Sequence, residues 1–188
     1  MRIQRILVQL LFVFFCALAP TRATTLERMS LEQLARRADV VARVTCLASA
    51  SQWERGQIWT RTEFEVAETF KGLLPRYVSI RLPGGRVGHL AVTIEGVPRF
   101  APGEQAILFL ARTPADEFTV LSWMQGSFRI ARDPRTAQES ITQESSGMAV
   151  FDPAARRFRD AGIRRMPLEV FRRRLVAILE QQRDGRQP

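Results

Sequence analysis

The sequence predicts a mainly β fold: an antiparallel β-barrel or sandwich with peripheral helices, one N-terminal and one C-terminal. Three observations carry that expectation. Across residues 57–110 apolar and polar residues alternate with period two in successive runs, separated by turn signals built on Gly and Pro. Before these runs, residues 31–38 carry a helical period, and residues 168–179 carry one after them. No internal repeat, low-complexity tract or linker divides the chain, so one globular domain is expected.

The first residues read as a targeting segment. Arg2 and Arg5 precede an apolar run over residues 6–18, which has the length of a signal-peptide core and is short for a transmembrane span. Two cleavage sites compete. Ala17-Leu18-Ala19 has the small-residue spacing, but Pro20 follows the cut directly and obstructs it. Thr21-Arg22-Ala23 has no such obstacle, so cleavage after Ala23 is expected, with Thr24 as the new N-terminus. Cys16 is no lipoprotein cysteine, since Phe14 and Phe15 stand where small residues are required. The predicted organisation is a signal peptide over residues 1–23 and a single domain over 24–188. Its β-core falls at about 40–151 and its last helix at about 167–182, and its address is periplasmic or extracellular. The mature chain would keep 165 of the 188 residues, enough to bury roughly 70% of its unfolded surface. Three arginines and no acid leave with the leader, so the formal charge falls from +9 to +6. Of the two cysteines only Cys46 stays, and an internal disulfide is excluded. No second apolar run of spanning length follows, so no membrane span is expected after cleavage.

Taken in order, Ser30-Leu31-Glu32-Gln33 has the form of a capping box, and Leu31, Leu34, Ala35 and Ala38 make the apolar stripe of a short helix. Residues 40–48 are rich in β-branched side chains and read as a strand, with Cys46 on the face of Val40, Ala42, Val44 and Ala48. Residues 51–57 are polar and contain Gly56, the composition of a hairpin loop. The central strand follows, with Ile58, Thr60, Thr62, Phe64 and Val66 inward and Trp59, Arg61, Glu63, Glu65 and Ala67 outward. Lys71-Gly72 and Pro75 turn the chain into a strand carrying Val78, Ile80 and Leu82. Pro83-Gly84-Gly85 and Gly88 predict a loop that is mobile or sharply bent. Strands are expected over 90–94 (Leu90, Val92 and Ile94 in phase), 106–110 and 118–123, then a hairpin of 128–131 with 139–142 around Pro134, then a short strand at 148–151. Pro167 opens the last helix, whose apolar face is Leu168, Phe171, Leu175, Ile178 and Leu179.

The order helix, strand, long strand, Lys-Gly turn, strand, glycine loop, strand resembles bacterial exported proteins with an OB-like barrel of the netrin and tissue-inhibitor type. The residues that carry it are Ala38-Asp39-Val40-Val41, Phe64-Glu65-Val66-Ala67-Glu68-Thr69-Phe70-Lys71-Gly72 and the Gly103-Glu104 turn before residues 106–110. The resemblance spans roughly residues 31–112 and implies an OB-like barrel. The metalloprotease-inhibiting cysteine at the N-terminus of tissue inhibitors has no counterpart, because Cys46 lies inside a predicted strand.

Function is less legible than fold. His89 is the sole histidine and lacks the converging ligands a metal site needs, so no metal is expected. The glycines at 84, 85 and 88 have neither the spacing nor the following helix of a phosphate loop, and no cofactor is expected. Ser127 precedes a strand rather than a helix, unlike a nucleophile elbow, and no catalytic residue is assigned. Cys46 reads as a small buried hydrophobe. Three features remain as candidate contacts. Arg86 and His89 sit on the glycine loop, where a binding contact competes with a bend that only glycine can make. Trp59 lies on the outward phase of its strand and, with Trp53 and Trp123, suggests a stacking platform for carbohydrate. Arg172, Arg173 and Arg174 lie mostly outside the last helix, in a segment (150–188) with ten arginines against five acids. The expectation is a secreted, non-enzymatic binding or accessory module of the cell envelope. Its partner would be an envelope protein or anionic polymer, and not nucleic acid, for which no reading motif exists. Attachment through the basic C-terminal face to an anionic surface is the alternative reading, and a hydrolase using His89 the lesser one.

Overall fold

The computed structural model describes residues 28–146, 149–152, 156–160 and 162–185. The predicted leader, its cleavage after Ala23, Thr24 and the first residue of the 148–151 strand lie outside the described residues.

Ser30 caps the first helix α1 (Leu31–Arg37) with the expected reciprocal box: its hydroxyl accepts from the Gln33 amide, and the Gln33 side chain accepts from the Ser30 amide. At the other end of α1 the ammonium of Lys71 donates to the carbonyls of Ala35 at 2.8 Å, Arg36 at 3.2 Å and Ala38 at 2.5 Å. A cation there complements the carbonyl end of the helix dipole.

Two long strands follow, β1 (Val40–Glu54) and β2 (Gln57–Lys71), paired antiparallel along their whole length. The polar loop expected over 51–57 shrinks to Arg55-Gly56, because both residues take positive φ (47° and 83°) and close a two-residue hairpin. Then come β3 (Tyr77–Pro83), β4 (Gly85–Val87), β5 (Leu90–Val92), β6 (Gln105–Arg112), β7 (Phe118–Val120), β8 (Ser127–Arg132), β9 (Glu139–Gln143), β10 (Ala149–Asp152), β11 (Arg157–Asp160) and β12 (Met166–Pro167). The last helix, α2, runs over Leu168–Asp184.

Hydrogen bonding links β1-β2-β3-β7-β6, and β6 returns to pair with β1, so five strands close a barrel. Its one parallel contact is the Ile80–Phe118 bridge between β3 and β7. The OB-like barrel is therefore what the chain forms, with β8, β9 and β12 extending the sheet from β6.

Two apolar clusters lie on opposite faces of β1 and β6. Inside the barrel Val40, Ala42, Val44, Cys46, Phe64, Ile80, Leu82, Leu108 and Leu110 pack together. Outside it Val41, Ile107, Phe109, Phe128 and Ile141 meet Leu34 of α1 and Phe171 and Leu175 of α2. Phe128 stacks between Phe109 and Phe171, with ring centroids 5.3 and 5.1 Å apart. Burial on both faces explains why 106–110 is a continuous apolar run with no alternation. Each fully buried Phe or Leu contributes about 1.5–3 kcal/mol.

Several expectations are corrected. The alternation of β2 holds through Val66 and then shifts, because Ala67 and Phe70 are extra residues bulged out of the β1 register. Glu68 thereby turns to the helix side, where Arg172 meets it at 2.6 Å. A third bulge at Leu47 leaves Ala48 exposed, away from the face of Cys46. The glycine loop is a bend that starts a small hairpin, β4 with β5. Gly84 and Gly85 have φ of +83° and +140°, and a Cβ on Gly85 would stand 2.2 Å from Ser51 Oγ. The strand expected over 90–94 is β5 and ends at Val92, and its in-phase residues Leu90 and Val92 are exposed because β5 lies outside the barrel sheet. The strand expected at 118–123 ends at Val120, because Ser122 and Trp123 take positive φ and lead into a 3₁₀ turn over Trp123–Gln125.

A candidate cleft beside Trp59

The outward phase of β2 and β3 builds a polar face. Trp59 and Arg61 project from β2, and in register with them stand Pro83 and Arg81 of β3. Two arginines directly opposite one another repel. Glu117, at the end of the β6–β7 connection, resolves the conflict by accepting from Arg61 at 3.1 Å and from Arg81 at 3.1 Å. The second amino group of Arg81 reaches Glu54 at 2.5 Å. The result is a chain Arg61–Glu117–Arg81–Glu54 with no net charge. The hydrogen bond from Arg81 holds the Glu117 carboxyl below its ordinary range, aided by that from Arg61 and opposed by burial.

The connection that delivers Glu117 is short and self-braced. The Thr113 amide donates to the Glu117 carbonyl at 2.8 Å, and the Glu117 amide donates to Thr113 Oγ1 at 3.2 Å. Asp116, between them, takes φ 59°. Arg81 lies over Trp59, its guanidinium carbon 4.0 Å from the ring centroid, so indole and guanidinium fix each other's orientation. Trp59, Arg81, Pro83, Pro114, Glu117 and Trp123 line an open cleft of about 390 Å³ whose exposed lining is predominantly apolar. Aromatic and proline walls with a few oriented polar groups suit a ligand that has both an apolar face and hydroxyls.

No protein-family model matches the chain, and no curated protein does.

Among the sequence candidates, Trp59 and Trp123 are brought together in this cleft, while Trp53 stands exposed near the far end of β1. Arg86 on β4 and His89 in the β4–β5 turn are exposed and do not line it. Arg172 and Arg174 on α2 are tied to Glu68 and Glu32, and Arg172 also to Glu169. Ser127 is fully buried. Cys46 is also buried, and that burial pushes its thiol pKa up. Among the described residues no group of three or more His, Cys, Asp and Glu could hold a metal. A wider depression of about 1050 Å³, lined by Arg132, Asp133, Glu139, Arg165 and Glu169 among others, mixes charges of both signs without an aromatic wall.

Arg81, Glu117 and Pro114 escaped the sequence reading. The outward phases of Arg61 and Arg81 are visible in the alternation, but their cross-strand opposition requires the register. Glu117 comes from a loop with no period to flag it.

Proposed function

We propose that this chain is an exported, non-enzymatic binding module of the cell envelope that takes a saccharide segment of an envelope polymer in the cleft beside Trp59. The observation that carries the reading is the pairing of two indoles, Trp59 and Trp123, with a charge-balanced guanidinium–carboxylate chain. Indole faces accept the C–H faces of sugar rings, and fixed Arg and Glu groups can exchange hydrogen bonds with ring hydroxyls. The same face of an OB-like barrel, strands two and three with the adjoining loops, is where such folds take oligosaccharides, which supports the reading by analogy. Export rests on Arg2, Arg5 and the apolar run of residues 6–18. Charge balance argues against a nucleic-acid backbone as ligand, which calls for uncompensated cations. The basic face of α2 is less supported as the attachment point, because the Glu68, Glu169 and Glu32 carboxylates offset two of its three neighbouring arginines.

Titration with soluble peptidoglycan fragments, followed by calorimetry and tryptophan fluorescence, tests the reading. Binding should weaken at least about tenfold in Trp59→Ala, with thermal stability little changed. No binding by the unaltered protein, or equal binding by the variant, defeats it.

A further inference from the structure

We propose that the Trp59 cleft continues into a second subsite, where Arg55 takes the carboxylate of an acidic sugar ring next to the ring stacked on the indoles. Resting on the saccharide reading of that cleft, the second subsite adds the chemical class it selects. The two depressions are continuous. An open depression of about 500 Å³ is lined by Glu54, Arg55, Arg81, Ala115 and Glu117, and it shares the last three with the Trp59 cleft. One sheet face builds both. Pairing of β1 with β2 sets Gln52 beside Trp59 and Glu54 beside Gln57, two residues on along both strands, which keeps all four side chains on the outward face. The wall between the depressions is the Arg81–Glu117 pair, so linked sugar rings crossing it place one ring on each side.

Charge distinguishes the two sides. Both carboxylates of the second depression are engaged: Glu54 accepts from Arg81 and from the Gln52 amide, and Glu117 from Arg61 and Arg81. Arg55 has no carboxylate partner among the described residues and is exposed. Added to the balanced chain Arg61–Glu117–Arg81–Glu54, it leaves a surplus of one positive charge, in the second depression and not in the first. A guanidinium fork matches a carboxylate. One surplus cation suits one acidic group per pair of rings rather than a polyanion.

The β1–β2 turn does not itself call for this residue. Arg55 takes φ 47° and Gly56 φ 83°, and two-residue turns of this kind favour Asn, Asp or Gly, because a Cβ is strained in the left-handed region. The tight closure holds the Arg55 backbone at the rim of the depression.

Calorimetric titration tests the subsite with two pairs of probes. The first is peptide-free glycan strands, whose N-acetylmuramic acid rings carry free lactyl carboxylates, and the same strands with those groups converted to methylamides. The second is oligosaccharides of alternating N-acetylglucosamine and glucuronate, and their methyl esters. For at least one pair the charged form should bind the unaltered protein about fivefold or more tightly, and the pair with the larger ratio identifies where the carboxylate sits. That ratio should fall near one in Arg55→Asn, which suits the turn, and persist in Arg55→Lys. It should also shrink as salt rises from about 0.1 to about 1 M, which cuts the screening length from about 10 to about 3 Å. A ratio near one for both pairs in the unaltered protein, one that Arg55→Asn or salt leaves intact, or one lost equally in Arg55→Lys overturns the role of Arg55; binding of the neutral forms would still leave the saccharide reading standing. Binding of neither form overturns both.

Discussion

The two ends of β1 share one strand and live in different environments. Over Val40–Cys46 both edges are bonded, and the apolar side chains divide between two clusters, Val41 in one and Val40, Ala42, Val44 and Cys46 in the other. Over Leu47–Glu54 β2 is the one strand partner among the described residues, and the inner face is a ladder of hydroxyls, Ser49 with Thr62 at 3.1 Å and Ser51 with Thr60 at 2.9 Å. A single bulge at Leu47 separates them. Stability and availability for contact are thus distributed along one continuous element, the first at its root and the second at its tip.

That contrast can be broken most directly at the root. Phe64 is fully buried and meets Phe100 edge-on at 5.0 Å, so Phe64→Ala should cost about 3–5 kcal/mol in denaturant unfolding. A loss under about 1 kcal/mol would show that the barrel interior is not what holds the root.

A smaller effect is expected from pH at the tip, where Glu54 and Glu117 share Arg81. The folded pKa of Glu117 lies below its ordinary value, so its contribution is present above the ordinary carboxylate range. That contribution is lost as pH falls through the lowered folded value. Urea unfolding of Glu117→Gln should therefore show a flatter acid limb than the unaltered protein. An identical acid limb would mean the Arg61–Glu117–Arg81 contacts are too well solvated to matter.

Smallest of all should be Trp53→Ala, within about 0.5 kcal/mol, since the side chain is more than half exposed. A cost comparable to that of Phe64→Ala would erase the distinction between root and tip.

What the sequence disclosed follows the same division. Ile58, Thr60, Thr62 and Phe64 alternate cleanly because one face of β2 is buried and the other wet, and Leu168, Phe171, Leu175 and Leu179 repeat helically because α2 covers one face of the sheet. These patterns are local. The bulges at Leu47, Ala67 and Phe70 are set by pairing with a partner strand, and no residue at those positions announces one. β4 holds too few residues to display a period, and the phase of Leu90 and Val92 marks β5 as a strand without showing that both side chains face solvent. β11 went unforeseen, and its pairing with β10 is visible only in the fold. The Trp59 cleft was half legible: the outward indole could be read, whereas Glu117 arrives from a connection more than fifty residues further along the chain.

Lys71 is the chain's only lysine, and its ammonium is engaged by three carbonyls at the end of α1. An amine held this way has all three protons committed and no lone pair to offer. Acylating or reductively methylating reagents should consequently spare it while α1 is seated and modify it when that helix lifts from β2. The protein thus carries a native single-site reporter: the mass shift at Lys71 over time measures the opening rate of one helix, with no engineered label.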